Sequence, residues 1–452
     1  MNTKVLGWAI TVALGGFLFG FDTAVISGGE QAIQELWGLS DYIVGQMVAM
    51  ALYGTVIGAL TGGIPADRFG RKTTLFWIGL LFLISAVGSA LAPDVYSLML
   101  ARFIGGLGVG ASSVVAPMYI TEVAPAESRG RLVATFQFNI VLGIMVAFLS
   151  NYLIGDGSAW RLMLGVEIIP AILFVVMIMW VPNSPRWLVV KKGDTGRALE
   201  VLRAINPNTA EQELESISGS SAVEPTGTLR NFFSGRYRIP ILLAFLLALF
   251  NQVSGINAVI YYAPRIFGMA GLQESASLLA SVGIGAVNLL FTITGMLLID
   301  RFGRKTLMFI GSIGYIISLG AVAYAFFTGI TGFFVPTFLF LFIASHAIGQ
   351  GAVIWVFISE IFPNEVRAWG NSWGCGTHWV FAALIAGIFP PVAATIGPAV
   401  VFTFFAICMV GQLLFVLFMM PETKGVPLEQ LQARLARKDI SGEDTLDAPL
   451  TQ

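Results

Sequence analysis

The heptapeptide DRFGRKT, residues 67–73, recurs unchanged at residues 300–306. A second pattern, E-x-x-P-x-E-x-R, begins at Glu122 and again at Glu360, and a looser third pair begins at Pro182 and Pro421. Three patterns repeated in the same order indicate an internal duplication. Because the repeat is far longer than that of a solenoid, each copy is expected to be a domain-sized half of the protein.

The composition excludes an ordinary soluble globule. The chain has 452 residues, of which 56% are hydrophobic and only 11% charged, and its mean hydropathy is +0.82. A soluble domain carries about 25% charged residues, so the surplus apolar surface is expected to face a lipid bilayer. The net charge of −1 argues against a nucleic-acid partner. The two cysteines have neither metal-binding nor redox spacing.

Apolar stretches of the length needed to cross a membrane, roughly 20 residues, occur twelve times. They predict an all-α integral membrane protein with twelve transmembrane helices, six before the polar stretch 183–238 and six after it, which matches the duplication. The predicted spans are 6–28, 42–66, 74–92, 96–119, 131–154, 161–181, 239–267, 276–299, 307–328, 334–359, 368–393 and 397–420. The predicted domains are an N-terminal bundle (1–182), a cytoplasmic linker with short helices (183–238), a C-terminal bundle (239–420) and a cytoplasmic tail (421–452).

Basic residues predict the orientation of these spans. Of the 25 Lys and Arg, all but three fall on one side of the predicted membrane; Arg102 lies within a span, and Arg161 and Arg265 are expected in loops on the other side. The positive-inside rule then places both termini and the linker in the cytoplasm, and the protein in a cell inner (plasma) membrane as a multi-pass protein. A monomer is expected.

Neither the central polar stretch nor the tail shows a catalytic constellation, and the chain has no GxxxxGK[ST] loop for ATP phosphates. It is therefore not interpreted as an enzyme, and no cofactor is expected. Transport would need another energy source, such as a proton gradient.

Three ionisable residues lie well inside predicted spans: Asp22, Arg102 and Glu167. Each would cost about 2.5–3.5 kcal/mol at a helix centre, so they are expected to meet one another or water. A purely structural ion pair of Asp22 with Arg102 is one interpretation. The other is proton coupling, because the nearby cation lowers the proton affinity of the Asp22 carboxyl and desolvation raises it.

The motifs together resemble the sugar porters of the major facilitator superfamily. The resemblance covers about residues 8–430 and rests on GFDTAVISG (20–28), both DRFGRK copies, QVSGIN (252–257) and PETKG (421–425). It implies the major facilitator fold, two pseudo-symmetric six-helix bundles with a substrate site between them near mid-membrane. Transport would proceed by rocking of one bundle against the other.

The resemblance also implies a function. Proton-coupled sugar porters have Asp where this chain has Asp22, and an acidic residue at the position of Glu167. The expected function is secondary active, proton-coupled symport of a monosaccharide, a hexose or a pentose. A facilitative sugar uniporter is the alternative, and a transporter-like sugar sensor is a minor one, because the tail is short for a signalling extension.

The expected sugar-binding residues combine amides, which donate and accept hydrogen bonds, with aromatic faces. Each amide could instead join two helices by a hydrogen bond. Tyr261 matches the extracellular gate of the family. The sugar-binding residues that the resemblance implies are Gln137, Asn251, Gln252, Asn257, Asn288, Trp355, His378 and Trp379.

Three positions depart from the family pattern. Asn251 stands where many relatives have Gln, and His378 stands where relatives show Gln or Asn. His378 could also be a histidine satisfied by neighbouring helices. Asn183 replaces the Glu of the usual PESPR motif, which predicts a weaker charge network at the cytoplasmic end of the N-terminal bundle.

That network is built from the repeated motifs. Arg71 and Arg304 are expected to pair with Glu122 and Glu360, with Arg129 and Arg367 completing the two clusters, and bridges across the bundles would hold the cytoplasmic side closed. The full predicted set is Asp67, Arg71, Glu122, Arg129, Asp300, Arg304, Glu360 and Arg367.

Overall fold

In a computed structural model, residues 3–125, 128–155, 157–220, 229–233, 235–363, 365–426 and 431 are described. These residues form α-helices connected by short turns. The helices are α1 (Thr3–Val25), α2 (Glu30–Trp37), α3 (Asp41–Thr61), α4 (Gly63–Phe69), α5 (Arg71–Leu91), α6 (Val95–Val123), α7 (Arg129–Ile154), α8 (Trp160–Gly165), α9 (Ile168–Ile178), α10 (Pro185–Lys192), α11 (Thr195–Ile205), α12 (Ala210–Ser220), α13 (Leu229–Phe232), α14 (Arg238–Val253), α15 (Ile256–Met269), α16 (Glu274–Phe302), α17 (Arg304–Thr328), α18 (Phe334–His346), α19 (Ala352–Ile361), α20 (Arg367–Ile396) and α21 (Pro398–Phe418), with a π-helical turn at Ala347–Gly351 between α18 and α19.

Twelve helical stretches within the described residues are long and apolar enough to cross a membrane. Each corresponds to one predicted span. Three of them consist of two helices in succession, α8 with α9, α14 with α15, and α18 with α19. Large apolar side chains such as Trp77, Leu297 and Phe418 are exposed on these helices, as expected for surfaces that face lipid.

The described chain separates into two compact units. Unit 1 comprises residues 1–224 together with 257–289 and 382–395, and unit 2 comprises 225–256, 290–381 and 396–452. The units therefore do not follow the predicted boundary between the sequence halves. Most of α15, the first part of α16 and the last part of α20 belong to unit 1.

Unit 1 contains a seam of glycines between α3 and α6. A Cβ atom at Gly106 would lie 1.9 Å from the carbonyl oxygen of Ala51, and one at Gly110 would lie 2.2 Å from that of Thr55. Gly54 and Gly58 approach the backbone of α6 as closely from the other side. Small residues allow membrane helices to pack backbone against backbone, so α3 and α6 form a tightly joined pair.

The repeated heptapeptide forms the same turn in both units. Gly70 separates α4 from α5 with φ 96°, and Gly303 separates α16 from α17 with φ 88°. Only glycine adopts this backbone conformation without strain. The arginine that follows each glycine begins the next helix, which fixes its side chain near the end of the preceding one.

The predicted linker contains the short helices α10 to α13, of which α10 to α12 belong to unit 1 and α13 to unit 2. Trp187 of α10 is buried and its indole N–H donates to the carbonyl of Asp67, 2.9 Å away. Leu188 and Ala198 join it in a small apolar cluster. Helix α10 therefore packs against the end of α4 within unit 1. Most of the predicted 421–452 tail, and residues 221–228 of the linker, lie outside the described residues.

Candidate functional site

The three predicted intramembrane charges lie together in unit 1. The Asp22 carboxylate on α1 is 3.6 Å from Arg102 Nη1 on α6, and Arg102 Nη2 donates to the Asp22 backbone carbonyl at 3.3 Å. Glu167 lies at the break between α8 and α9, close enough to both for an electrostatic interaction. All three residues are almost completely buried, with exposed fractions of 1–2%.

This cluster has one carboxyl group more than it has cations. Arg102 divides its donors between the carboxylate and the backbone of Asp22, and Glu167 Oε1 has no hydrogen-bond partner among the described residues. A second ionised carboxylate in this apolar surrounding would lack a counterion, which is costly. The arrangement is therefore suited to holding one proton.

Tyr261, the predicted gate residue, is buried in unit 1 on α15. Its hydroxyl is close enough to Thr23, the residue after Asp22, and to Asp22 and Arg102 to interact with them electrostatically. A movement of α15 at Tyr261 would therefore change the electrostatic environment of Asp22 and Arg102.

Unit 2 brings five of the predicted sugar-binding residues together. Gln252 Nε2 on α14 donates to Asn251 Oδ1 at 2.8 Å and lies 3.1 and 3.2 Å from the two ring nitrogens of His378 on α20. The His378 ring is flanked by Trp355, with ring centroids 5.0 Å apart, and by Trp379, at 4.7 Å. Amides, an imidazole and two indoles thus form one surface of the kind that a sugar ring requires.

The other three predicted sugar-binding residues lie in unit 1. Asn257 on α15 and Asn288 on α16 are buried, and Gln137 on α7 is half-buried. Asn257 and Asn288 come from the second half of the sequence, yet they belong to the unit that contains the first half. Their contact with sugar stays a prediction.

The repeated arginines make matching ion pairs. Arg71 donates to both oxygens of Glu122 at 2.9 and 3.0 Å and reaches Asp67 at 2.9 Å. Arg304 repeats the pattern in unit 2 with Glu360, at 2.8 and 3.3 Å, and with Asp300, at 3.1 Å. The paired donation to Glu122 and Glu360 is the stronger interaction, because these carboxylates are less exposed than the aspartates.

Arg129 and Arg367 do not complete these clusters as expected. Across the described residues, neither guanidinium pairs with a carboxylate. Arg367 Nε donates to the carbonyl of Phe362, at the end of α19. Arg129 is exposed at the start of α7, where water competes for its charge. The predicted bridges across the bundles stay a prediction.

The two copies of the network differ at the residue predicted to matter. In unit 2, the Glu422 carboxylate accepts hydrogen bonds from the backbone N–H groups of Arg304 and Lys305, at 2.9 and 3.0 Å, where α17 begins. At the corresponding place in unit 1, Asn183 lies beside Gly70, and its buried Oδ1 has no hydrogen-bond partner in the described part of the chain. A neutral amide therefore replaces an anion at the start of α5.

Replacing Asn183 with glutamate is expected to stabilise the protein by about 1 kcal/mol, because a carboxylate there can accept from the backbone of α5 and interacts favourably with the helix dipole. Thermal unfolding of the purified protein measures the gain. Glu422→Asn is the reciprocal control and should destabilise by a similar amount. Equal unfolding temperatures for wild type and Asn183→Glu would contradict this account of the asymmetry.

A further ion pair in unit 1 was not predicted. Arg265, expected in a loop, lies instead within α15, because the helix continues to Met269. Its Nε and Nη2 donate to the two oxygens of Glu30 on α2, at 2.8 and 2.5 Å, and Nη2 also donates to Gln34 at 2.6 Å. The Glu30 side chain is completely buried. The charge of Glu30 next to the first span was the available signal, but its partner is 235 residues away.

Two buried glutamines of unit 2 were also missed. Gln350 lies in the π-helical turn and Gln412 on α21, and Gln350 Nε2 donates to Gln412 Oε1 at 2.8 Å. Gln350 in turn accepts from Asn251 at 3.3 Å. An isolated glutamine in an apolar span was the signal that could have identified each one.

Comparison with known proteins places the chain in a family. Residues 8–435 match the family model described as "Sugar (and other) transporter". The arabinose-proton symporter of Bacillus subtilis is 37% identical, covering 94% of this chain and 95% of that protein. The D-xylose-proton symporter of Escherichia coli K12 is 35% identical, covering 96% and 97%.

A solved structure agrees with these sequence relatives. The inward-open conformation of the xylose transporter XylE from E. coli matches with a TM-score of 0.84 and 34% identity, covering 95% of this chain and 99% of that one. The described helices thus follow the fold of a known transporter along nearly the whole chain. The chain belongs to the sugar (and other) transporter family and is a sugar porter of the major facilitator superfamily, with twelve membrane helices.

Proposed function

We propose that the protein couples the uptake of a monosaccharide, a hexose or a pentose, to proton entry by alternating access. It would act in the inner (plasma) membrane with both termini in the cytoplasm, where the positive-inside rule places them. The names of two relatives, an arabinose-proton and a D-xylose-proton symporter, support this class of substrate and the proton as driving ion. The facilitative uniporter is the second candidate, since it would use the same sugar site.

The observation that carries proton coupling is the charge imbalance of the Asp22, Arg102 and Glu167 cluster. A uniporter has no need of a second buried carboxyl group beside a single guanidinium. In a symporter, the group that lacks a counterion binds a proton when the cluster is closed to water and releases it when water enters. Such a cycle needs only a small movement of Arg102 relative to Asp22, since the two are already 3.6 Å apart.

The sugar would be bound by the polar and aromatic surface of unit 2. Trp355 and Trp379 offer faces to the apolar side of a sugar ring, and Gln252 and His378 offer hydrogen-bonding groups to its hydroxyls. Trp355 is the least buried of these four residues, with an exposed fraction of 38%. The residues in unit 1 that resemble family sugar contacts, Gln137, Asn257 and Asn288, are proposed to contribute as well.

Uptake into proteoliposomes tests this function. Purified protein is reconstituted, a pH gradient is imposed with the inside alkaline, and a panel of labelled hexoses and pentoses is added. A symporter accumulates its sugar above the outside concentration, and the accumulation collapses when a protonophore is added. Uptake that reaches the outside concentration and ignores the gradient would show a uniporter.

His378→Gln is expected to change the order of affinities among sugars. The substitution replaces one acceptor and one donor on a rigid ring by an amide with two donors and an oxygen. Each hydrogen bond gained or lost should shift one sugar against another by about fivefold. Binding of the same sugar panel to purified variants measures this. A uniform loss for every sugar would indicate packing damage between Trp355 and Trp379 instead.

A further inference from the structure

A continuous chain of buried hydrogen bonds leads from the backbone of α17 to His378. It passes through Ser312 on α17, Gln412 on α21, Gln350 in the π-helical turn, and Asn251 and Gln252 on α14. The successive distances are 2.8 Å from Gln412 Nε2 to Ser312 Oγ, 2.8 Å from Gln350 Nε2 to Gln412 Oε1, 3.3 Å from Asn251 Nδ2 to Gln350 Oε1, 2.8 Å from Gln252 Nε2 to Asn251 Oδ1, and 3.1 Å from Gln252 Nε2 to His378 Nδ1. All of these residues belong to unit 2.

The far end of this chain sets its direction. The Ser312 hydroxyl donates to the carbonyl of Met308 at 2.7 Å, and a carbonyl oxygen can only accept. The hydroxyl hydrogen is thereby used, so Ser312 Oγ can only accept from Gln412. The amide of Gln412 must therefore turn its nitrogen to Ser312 and its oxygen to Gln350.

The direction at Ser312 determines the donor and the acceptor of every later hydrogen bond in the chain. Gln350 gives its nitrogen to Gln412 and keeps its oxygen for Asn251, and Asn251 then offers its oxygen to Gln252. Reversing one amide in the middle would bring two N–H groups or two oxygens together without water, which costs more than an ordinary hydrogen bond gains. The exposed fractions of Ser312, Gln412 and Gln350 are all 0%, so the direction is not relaxed by solvent.

The near end of the chain meets the proposed sugar surface. The Gln252 nitrogen is directed to Asn251 and His378, so the Gln252 amide presents its oxygen, an acceptor, as its other polar atom. Gln252 Nε2 can only donate, and it lies 3.1 and 3.2 Å from the two ring nitrogens of His378, so the nitrogen that accepts from it must be unprotonated. The hydrogen-bond chain therefore fixes the orientation of the Gln252 amide.

We infer that Ser312, Gln412 and Gln350 are positioning residues for sugar selectivity: they form a directional hydrogen-bond relay that makes Gln252 an acceptor toward the sugar. This inference rests on the proposed function. Its consequence is that the hydroxyl facing Gln252 must donate. A substrate with a fluorine at that position, which cannot donate, should bind as weakly as one that lacks the hydroxyl altogether.

Ser312→Ala tests the relay without touching the sugar surface. With alanine at this position, either direction of the chain leaves one polar group unsatisfied at the α17 end, so the two directions become closer in free energy and Gln252 can also present its nitrogen. Affinities are measured for the sugar that wild type binds most tightly, and for its deoxy and deoxyfluoro analogues at each ring position. In wild type, one position should show no advantage of fluorine over hydrogen; in the variant, fluorine should gain about fivefold at that position alone.

Ser318→Ala is the matched control. Ser318 lies on the same helix, is equally buried, and donates to the carbonyl of Gly314 at 2.7 Å in the same way, but it is not part of the relay. This variant should keep the wild-type pattern. Gln412→Met keeps a side chain of similar size but removes the hydrogen bonds of Gln412 to Ser312 and Gln350. It should reproduce the analogue pattern of Ser312→Ala. It replaces Ser312→Ala in the test if that variant does not fold.

The outcomes separate the relay from the proposed function. An unchanged analogue pattern in both Ser312→Ala and Gln412→Met, or an equal loss of affinity for all analogues, would refute the relay while wild-type sugar binding upholds the function. A wild-type protein that binds no monosaccharide would refute the proposed function and the relay with it.

Discussion

Asp22→Asn is expected to abolish the accumulation of sugar against a gradient while sugar exchange continues. Asparagine has nearly the same shape and still accepts a hydrogen bond, but it cannot carry a proton. An imposed gradient of one pH unit supplies about 1.4 kcal/mol per proton, enough for about a tenfold accumulation in a one-to-one symporter. We expect that ratio to fall to about one in the variant. Uptake and counterflow in proteoliposomes, each with the same protein, measure accumulation and exchange separately.

Asp94→Asn is the matched control for this experiment. Asp94 caps α6, the helix that carries Arg102, by accepting from the backbone N–H groups of Tyr96 and Ser97. Asparagine caps helices about as well as aspartate, so accumulation should be unaffected. Full accumulation by Asp22→Asn would exclude Asp22 as the essential proton carrier and direct attention to Glu167. Loss of both accumulation and exchange, together with a lower unfolding temperature, would favour the purely structural ion pair.

Arg265→Ala is expected to destabilise the described conformation of unit 1 by about 3–5 kcal/mol, because it leaves the buried Glu30 carboxylate without its counterion. The pair joins α2, from the first half of the sequence, to α15, from the second. In the same unit, Tyr262 donates to the carbonyl of Ala386 and Gly45 meets the backbone of Gly387. Rocking that separates these helices has to break the pair, so the variant should populate the separated state far more often.

Labelling of a single cysteine measures that population. Ala393 is 5% exposed and lines a cavity of about 350 Å³ beside Arg265. In a protein whose two natural cysteines are replaced, a cysteine introduced by Ala393→Cys should react with an impermeant maleimide about a hundredfold faster, or more, when Arg265 is absent. Arg161→Ala is the control, since Arg161 donates to the carbonyl of Ala92 and stacks on Trp160. Equal labelling rates in Arg265→Ala and wild type would contradict the role of the pair.

The excess cysteine labelling of Arg265→Ala is expected to depend on pH. Burial raises the pKa of Glu30 above its ordinary value, and Arg265 opposes this effect. Without Arg265 nothing opposes burial, and the carboxyl takes up a proton more readily. A neutral carboxyl needs no counterion, so the excess labelling of Arg265→Ala should shrink as the pH of the medium that contacts α2 falls.

Residue type and local spacing were enough to predict the membrane helices. Each of the twelve apolar stretches became a helical stretch within a few residues of its predicted ends, because length and hydropathy are local properties that the bilayer constrains strongly. The repeated arginine turns were predictable for the same reason: Gly70 and Gly303 require a particular backbone, and Arg71 and Arg304 follow directly.

Interactions between distant positions were predictable only where the chain offered few partners. Asp22 and Arg102 could be paired from sequence because very few charges lie inside the spans. Arg265 was expected in a loop, and only the structure supplies its partner Glu30, 235 residues away along the chain. Gln350 and Gln412 each looked like an isolated polar residue, since neither sequence position indicates that their side chains meet.

The glycine seam between α3 and α6 bears on how the protein is made. Helices that sit in a bilayer gain nothing from hiding apolar surface, because lipid tails are as apolar as leucine, so they must find partners through close packing. On α3, Gly54 and Gly58 leave the backbone uncovered by side chains. On α6, Gly106 and Gly110 do the same, so the two backbones can pack directly against each other. Since domains tend to fold in the order of their synthesis, we expect α3 and α6 to pack together while the ribosome is still translating the second half of the sequence. The later helices would then assemble against a finished template.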